Sequence, residues 1–153
     1  MATRIRPKKK ELYRDDFYVW ALEQADRLRA KRFDALDLDN LIEEVEGLAD
    51  VKLSAVLNNA RVIIEHLLKL QHSPATDPRK GWRASAVEHR ARLEVELTPR
   101  LREILEEERP RIYGIARRAA EVSLRDHGEQ AAADALPATC PYTLEQITGD
   151  WLP

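Results

Sequence analysis

Between Arg14 and Lys31, Phe17, Ala21, Ala25 and Leu28 recur at helical spacing, with Asp15 and Asp16 in the first turn and Arg29 and Lys31 in the last. The pattern predicts a first helix whose charges complement its dipole. Asp37 or Asp39 is a natural N-cap for the next helix, whose opening Leu41, Val45 and Leu48 share a face away from Glu43, Glu44 and Glu46. From Asp50 to Gln71, Leu53, Val56, Leu57, Ala60, Ile63, Ile64, Leu67, Leu68 and Leu70 cover about half the helical circumference, so this stretch is the expected centre of the core. The two stripes are offset by some tens of degrees, and one curved helix or two helices hinged near Gly47 both fit.

His72 to Lys80, with Pro74 and Pro78, reads as a loop in which Asp77 caps a helix beginning at Pro78. Trp82, Ala86, His89, Leu93 and Leu97 then line one side of that helix, and Arg79, Arg83 and Arg90 cluster within about 40° along its edge. Thr98–Pro99 marks a fresh start. From there Leu101, Ile104, Leu105, Ile112, Ile115, Ala116, Ala119 and Val122 stay in phase through Pro110, which predicts a single kinked helix with Pro110 facing outward. Gly128 suits the position just past its end, and Gln130 to Leu136 offers a further turn. Thr143 and Gln146 have capping-box spacing for a short last helix, with Tyr142, Ile147, Trp151 and Leu152 as docking surface.

Composition agrees with an all-α fold: 153 residues include only 5 Gly, and no alternating strand pattern competes. The expectation is one domain over residues 13–153, a helical bundle of four to five main helices plus a short C-terminal helix. Residues 1–12, rich in Lys and Arg, are expected to be a flexible basic arm. With 25 Lys+Arg against 27 Asp+Glu the net charge is −2, which removes the large field of a dedicated nucleic-acid binder. Nucleic acid is therefore an unfavoured partner, served if at all by the arm and Arg79, Arg83 and Arg90. No apolar run approaches the roughly 18 residues that span a bilayer, and no apolar stretch follows the basic start, so neither membrane insertion nor secretion is expected. Cys140 is the only cysteine, which rules out an internal disulfide and fits a reducing, cytoplasmic setting.

Phosphate loops, the nucleophile elbow, the zincin motif and the calcium loop are all missing from the sequence. A di-metal bundle would need Glu three residues before a His, and those positions hold Ile63, Lys69, Ala86 and Leu124. Catalytic candidates are thus His66 and Lys69 on the core-facing helix, together with Glu43 and Glu44. His66, His89 and His127 could meet as a mononuclear metal site only through the fold, against a base expectation of no metal and no cofactor. Arg79, Arg83 and Arg90 could clamp a small anion beside the indole of Trp82, or pair with acids of the second helix.

Five blocks in order carry a resemblance: Asp16-Phe17-Tyr18-x-Trp20, Leu36-Asp37-x2-Asn40-Leu41-Ile42-Glu43-Glu44-Val45-Glu46, His66-Leu67-Leu68-Lys69, Trp82-Arg83-Ala84-Ser85 with Arg90, and Cys140-Pro141-Tyr142-Thr143-Leu144 with Trp151-Leu152-Pro153. The chain resembles the domain-of-unknown-function family 29. That resemblance implies a small, all-helical bacterial protein and carries over no activity, cofactor or catalytic residue. Ala86 stands where family members tend to have a larger aliphatic residue. Rich helical patterning without a catalytic constellation points to a non-enzymatic interaction module that binds a protein partner or itself. The alternatives are a metal-dependent enzyme or anion-binding protein built on His66 and the Arg83/Arg90 face, and a nucleic-acid binder using the arm.

Overall fold

The longest apolar stripe of the sequence becomes the longest helix. A computed structural model describes residues 9–153. The chain forms α1 (Lys9–Asp15), α2 (Phe17–Arg29), a single 3-10 turn (Phe33–Ala35), α3 (Leu38–His72), α4 (Arg79–Glu96), α5 (Pro99–Asp126), α6 (Gln130–Asp134) and α7 (Leu144–Thr148), with no strand among the described residues. The fold is all-α. Positions 1–8 of the expected arm lie outside the described residues, while Lys9 to Leu12 belong to α1. Two compact units appear, one up to Asp50 and one from Val51 onward, and α3 enters both without interruption at Gly47.

In the first unit Asp16 separates α1 from α2 and caps the latter, its carboxylate accepting from the Val19 N–H at 3.1 Å. The stripe expected to be buried is only half covered: Phe17 and Leu28 stay exposed, and Trp20 and Gln24 are the buried residues of α2. A polar network turns the helix this way. The Trp20 indole N–H donates to Asp37 at 3.1 Å, and the Asp37 backbone N–H donates to Gln24 Oε1 at 2.9 Å. Asp37, which directly precedes α3, also accepts from Asn40 Nδ2 at 2.8 Å. The connection opens with Lys31 at φ 56°, closed by a bond from the Arg32 N–H to the Arg27 carbonyl at 2.9 Å.

The second unit holds the core. Val56, Ala60, Ile63, Ile64, Leu67 and Leu68 of α3 are fully buried against Leu93 of α4 and Leu105, Ile112, Tyr113, Ala116, Ala120 and Leu124 of α5. Each large side chain among them is worth roughly 1.5–3 kcal/mol of burial. Helix α4 begins one residue later than its sequence pattern suggests, with Pro78 in the capping position. Helix α5 starts at the expected Thr98–Pro99 break, and Thr98 caps it, its hydroxyl accepting from the Leu101 N–H. That helix runs unbroken through the exposed Pro110, so the Glu106 carbonyl that loses its donor is left to solvent on the outer side. Gly128, at φ 77°, follows its end, and the Glu129 N–H closes on the Leu124 carbonyl at 2.9 Å. The Thr143–Gln146 capping box is complete in both directions.

Candidate functional site

On α3 and α4 the ionisable residues organise as a ladder beside two imidazoles. Arg61, Glu65 and Lys69 stack at successive turns, with Glu65 3.3 Å from Arg61 and 2.8 Å from Lys69. Lys69 is buried and its ammonium lies 5.6 Å from the Trp82 ring centroid, so the cation is shared between a carboxylate and an aromatic face. His66 sits one turn before Leu70, its Nδ1 buried without a hydrogen-bond partner. Burial first, and then repulsion from Lys69, lowers its pKa to about 4. His89 Nδ1 lies 2.8 Å from Asn59 Oδ1, and Asn59 Nδ2 donates to the Ala55 carbonyl at 2.9 Å. That second bond orients the amide, so His89 must carry its proton on Nδ1 and present Nε2 as the basic atom. Burial also holds His89 below the ordinary histidine value.

The arginines of α4 have separate tasks. Arg79 reaches the Ser73 carbonyl at 3.5 Å and Arg83 is exposed. Arg90 is buried: its Nε donates to the Ile147 carbonyl at 3.0 Å, and its Nη2 to the carbonyls of Gln146 at 2.7 Å and Trp151 at 2.8 Å. Two arginines of α5 treat the same C-terminal segment alike. Arg109 Nη1 donates to the Tyr142 carbonyl at 2.8 Å, and Arg117 Nε donates to the Pro137 carbonyl at 2.9 Å, which the Tyr113 hydroxyl also reaches at 2.5 Å. Tyr142, whose pKa burial raises, donates in turn to Gln71 Oε1 at 2.9 Å.

The first unit presents a different surface. Glu43 and Glu46 are exposed, and Glu44 accepts from the Tyr13 hydroxyl at 2.5 Å, a bond that raises the tyrosine pKa. Tyr13, Arg14, Asp39, Asn40, Ile42 and Glu43 line one cleft. An apolar groove of about 290 Å³ lies between α2 and the start of α3. The buried Trp20 and Gln24 line it together with Phe17, Ala21, Ala25, Leu28, Leu41, Glu44, Val45 and Leu48.

The family model described as "Domain of unknown function DUF29" matches residues 12–152. The chain belongs to the DUF29 family. No curated protein and no solved structure matches it.

In this DUF29 chain the sequence candidates fall into distinct places. Lys69 and Trp82 do come together, with Glu65 as the third member. Glu43 and Glu44 belong to the first unit and His66 and Lys69 to the second. Among the described residues no group of three or more His, Cys, Asp or Glu side chains could hold a metal ion. The set of His66, His89 and His127 is therefore not assembled; His127 is exposed and its Nδ1 lies 2.7 Å from the Ser123 carbonyl. Cys140 is a half-buried thiol directed at the Tyr142 carbonyl. Sequence reading missed the latching role of Arg90, Arg109 and Arg117. A signal was present for Arg90, which stands four residues after Ala86 and three before Leu93 in the register of buried positions. No helix of the described residues is long and apolar enough to cross a membrane.

Proposed function

We propose that this protein is a non-enzymatic interaction module of the bacterial cytoplasm whose contact surface is the apolar face of its first unit. One observation carries the reading. Phe17, Tyr18, Val19, Leu22, Leu28, Phe33, Leu38, Ile42, Val45 and Leu48 are all exposed, while Trp20 and Leu36 are the buried hydrophobics of that stretch. Of these, Phe17, Leu28, Val45 and Leu48 share the groove between α2 and α3, and an exposed apolar groove of this kind marks a binding surface. The cytoplasmic setting is supported by the lone free thiol of Cys140.

The test is oxidative footprinting by hydroxyl radicals. Phe17, Val45 and Leu48 are expected to react readily in dilute purified protein and to be shielded at cellular concentrations in extract. Equal labelling under both conditions, with Val95 on α4 as the internal standard, would remove the basis of the reading.

A further inference from the structure

We propose that the groove between α2 and α3 receives a basic amphipathic helix of a partner protein, whose apolar stripe fills the groove and whose lysine or arginine lies against Phe17, Trp20 and Glu44. The inference rests on the interaction reading above and names the chemistry of the partner. Shape is the first ground. The lining residues run along α2 from Phe17 to Leu28 and along α3 from Leu41 to Leu48, recurring every three or four positions on each helix. They are one stripe of each of two neighbouring helices, about 16 Å long on α2 at the rise of a helical residue. The depression between two such stripes takes a third helix, anchored by side chains at i, i+3 or i+4, and i+7. Its buried lining is fixed in advance: Trp20 and Gln24, each 2% exposed, are both held by Asp37, so binding does not have to order them.

Charge decides what kind of helix it is. Among the described residues Glu44 is the one ionisable side chain lining the groove. It is half-buried, its partner is the Tyr13 hydroxyl at 2.5 Å, and no lysine or arginine of the described residues pairs with it. The α2 arginines are engaged on their own helix, Arg27 with Glu23 and Arg29 with Asp26. Aromatic rings gather beside this carboxylate. The Tyr13 ring that reaches Glu44 packs edge-on against Trp20 at 4.8 Å and Phe17 at 5.9 Å, and the Phe17 and Trp20 centroids are 5.4 Å apart. A carboxylate among aromatic rings attracts a cation through its charge and through the ring quadrupoles, and it repels an anion. Apart from the Gln24 amide, the rest of the lining is apolar. An occupant that matches is therefore greasy along one stripe and carries a basic residue beside it. Lysine and arginine suit that place, because their methylene stems cover apolar surface while the charged head stays at the rim.

Calorimetric titration of the full chain with synthetic helices tests the inference. One peptide of about 16 residues carries a leucine stripe with a single arginine beside it, and the second is identical but for glutamine in place of that arginine. The arginine peptide is expected to bind about tenfold more tightly. Glu44→Gln keeps an oxygen for the Tyr13 hydroxyl and should erase that difference without weakening the glutamine peptide, a result that a merely structural role of Glu44 would not give. Glu44→Lys should reverse the preference toward a third peptide with glutamate at the same place. Leu48→Ala, which removes apolar lining common to every complex, should weaken all three alike. Equal affinity for the arginine and glutamine peptides overturns the inference, as does a Glu44→Gln variant that weakens both equally. A dimer of the chain alone that Leu48→Ala dissolves overturns it too, because a second copy then fills the groove. If no peptide binds while extract still shields Phe17, only the chemistry assigned to the partner fails; if Phe17 also labels equally in both conditions, the interaction reading fails with it.

Discussion

Replacing Arg90 should loosen the C-terminal segment more than any other single polar substitution in the second unit. Helix α7 ends at Thr148, so the carbonyls of Gln146 and Ile147 have no amide one turn on to bond, and Arg90 supplies the donors. Its third bond, to the Trp151 carbonyl, fastens the chain beyond the helix. Hydrogen bonds from a charged donor contribute about 1.5–3 kcal/mol each, but bonds sharing one guanidinium are not additive and its desolvation is recovered on removal. Burial does act on this group, pulling the Arg90 pKa below the usual arginine value, with Asp150 opposing. A net cost of about 3–4 kcal/mol for Arg90→Ala is the result, or about 10 °C in Tm for a chain of this length. Arg90→Lys keeps the charge but cannot span three acceptors, and should recover less than half of that. Urea unfolding followed by circular dichroism gives the global number, and hydrogen exchange of Tyr142 to Trp151 gives the local one. An Arg90→Ala variant within about 1 kcal/mol of the parent, or a Lys variant equal to it, would show that the three carbonyls are satisfied by water at little cost.

The remaining predictions concern single groups. His66 should titrate near pH 4 by proton NMR. Its folded pKa lies below its unfolded one, so the unfolded chain takes up the proton first. Stability is fully present above about pH 6.5 and is lost as the pH falls toward 4, by at most about 3 kcal/mol and nearer 1–2 after solvent screening. The lowered values of His72 and His89 act in the same direction, and a His66 that titrates above 6 would contradict the burial of its ring. Gly128→Ala should cost about 1 kcal/mol because its φ is 77°, whereas Lys31→Gly, at φ 56°, should gain a similar amount. Paired thermal melts of the two variants read both signs at once. Gly47→Ala should stabilise by about 0.5–1 kcal/mol, since a Cβ there meets nothing within 4 Å inside the continuous α3; a loss would mean the helix needs flexibility at that point.

Helix positions were legible because burial in the second unit follows a simple period. Val56, Ala60, Ile63, Ile64, Leu67 and Leu68 are buried as their spacing requires, and Thr98, Gly128 and Thr143 mark helix ends through local chemistry that needs no tertiary knowledge. Continuity through Gly47 was not legible, since an offset of some tens of degrees between the stripes fits either outcome. The side chains that depart from the pattern are polar ones with distant partners. Arg90 meets carbonyls 56 to 61 residues away, and Tyr142 meets Gln71 across 71 residues. Nothing in a local window carries that information. The same holds for the charge-bearing candidates: spacing put Arg79, Arg83 and Arg90 on one edge, but which of them turns inward depends on where α7 ends.

The first unit shows why its α2 stripe was misjudged and why that matters for its role. A helical stripe read from sequence assumes that apolar side chains choose the buried side, yet here two polar residues do so. Asp37 collects the indole N–H of Trp20 and the amide of Asn40, and its own backbone N–H donates to Gln24 Oε1, while the Gln24 Nε2 is buried without a partner. A buried network of this kind is directional and fixes the rotation of α2 more tightly than contacts between alanines would. The cost is that Phe17 and Leu28 are left on the open side, facing the groove with Val45 and Leu48. Asp37→Ala should then do two things together: strand the Trp20 indole N–H at a cost of about 2 kcal/mol, and free α2 to rotate its apolar stripe inward. Quenching of Trp20 fluorescence by acrylamide, in a chain whose Trp82 and Trp151 are replaced by Phe, reads the first effect. Reduced hydroxyl-radical labelling of Phe17 reads the second. An Asp37→Ala chain whose Phe17 labels as before would mean that the groove owes its openness to something other than this network.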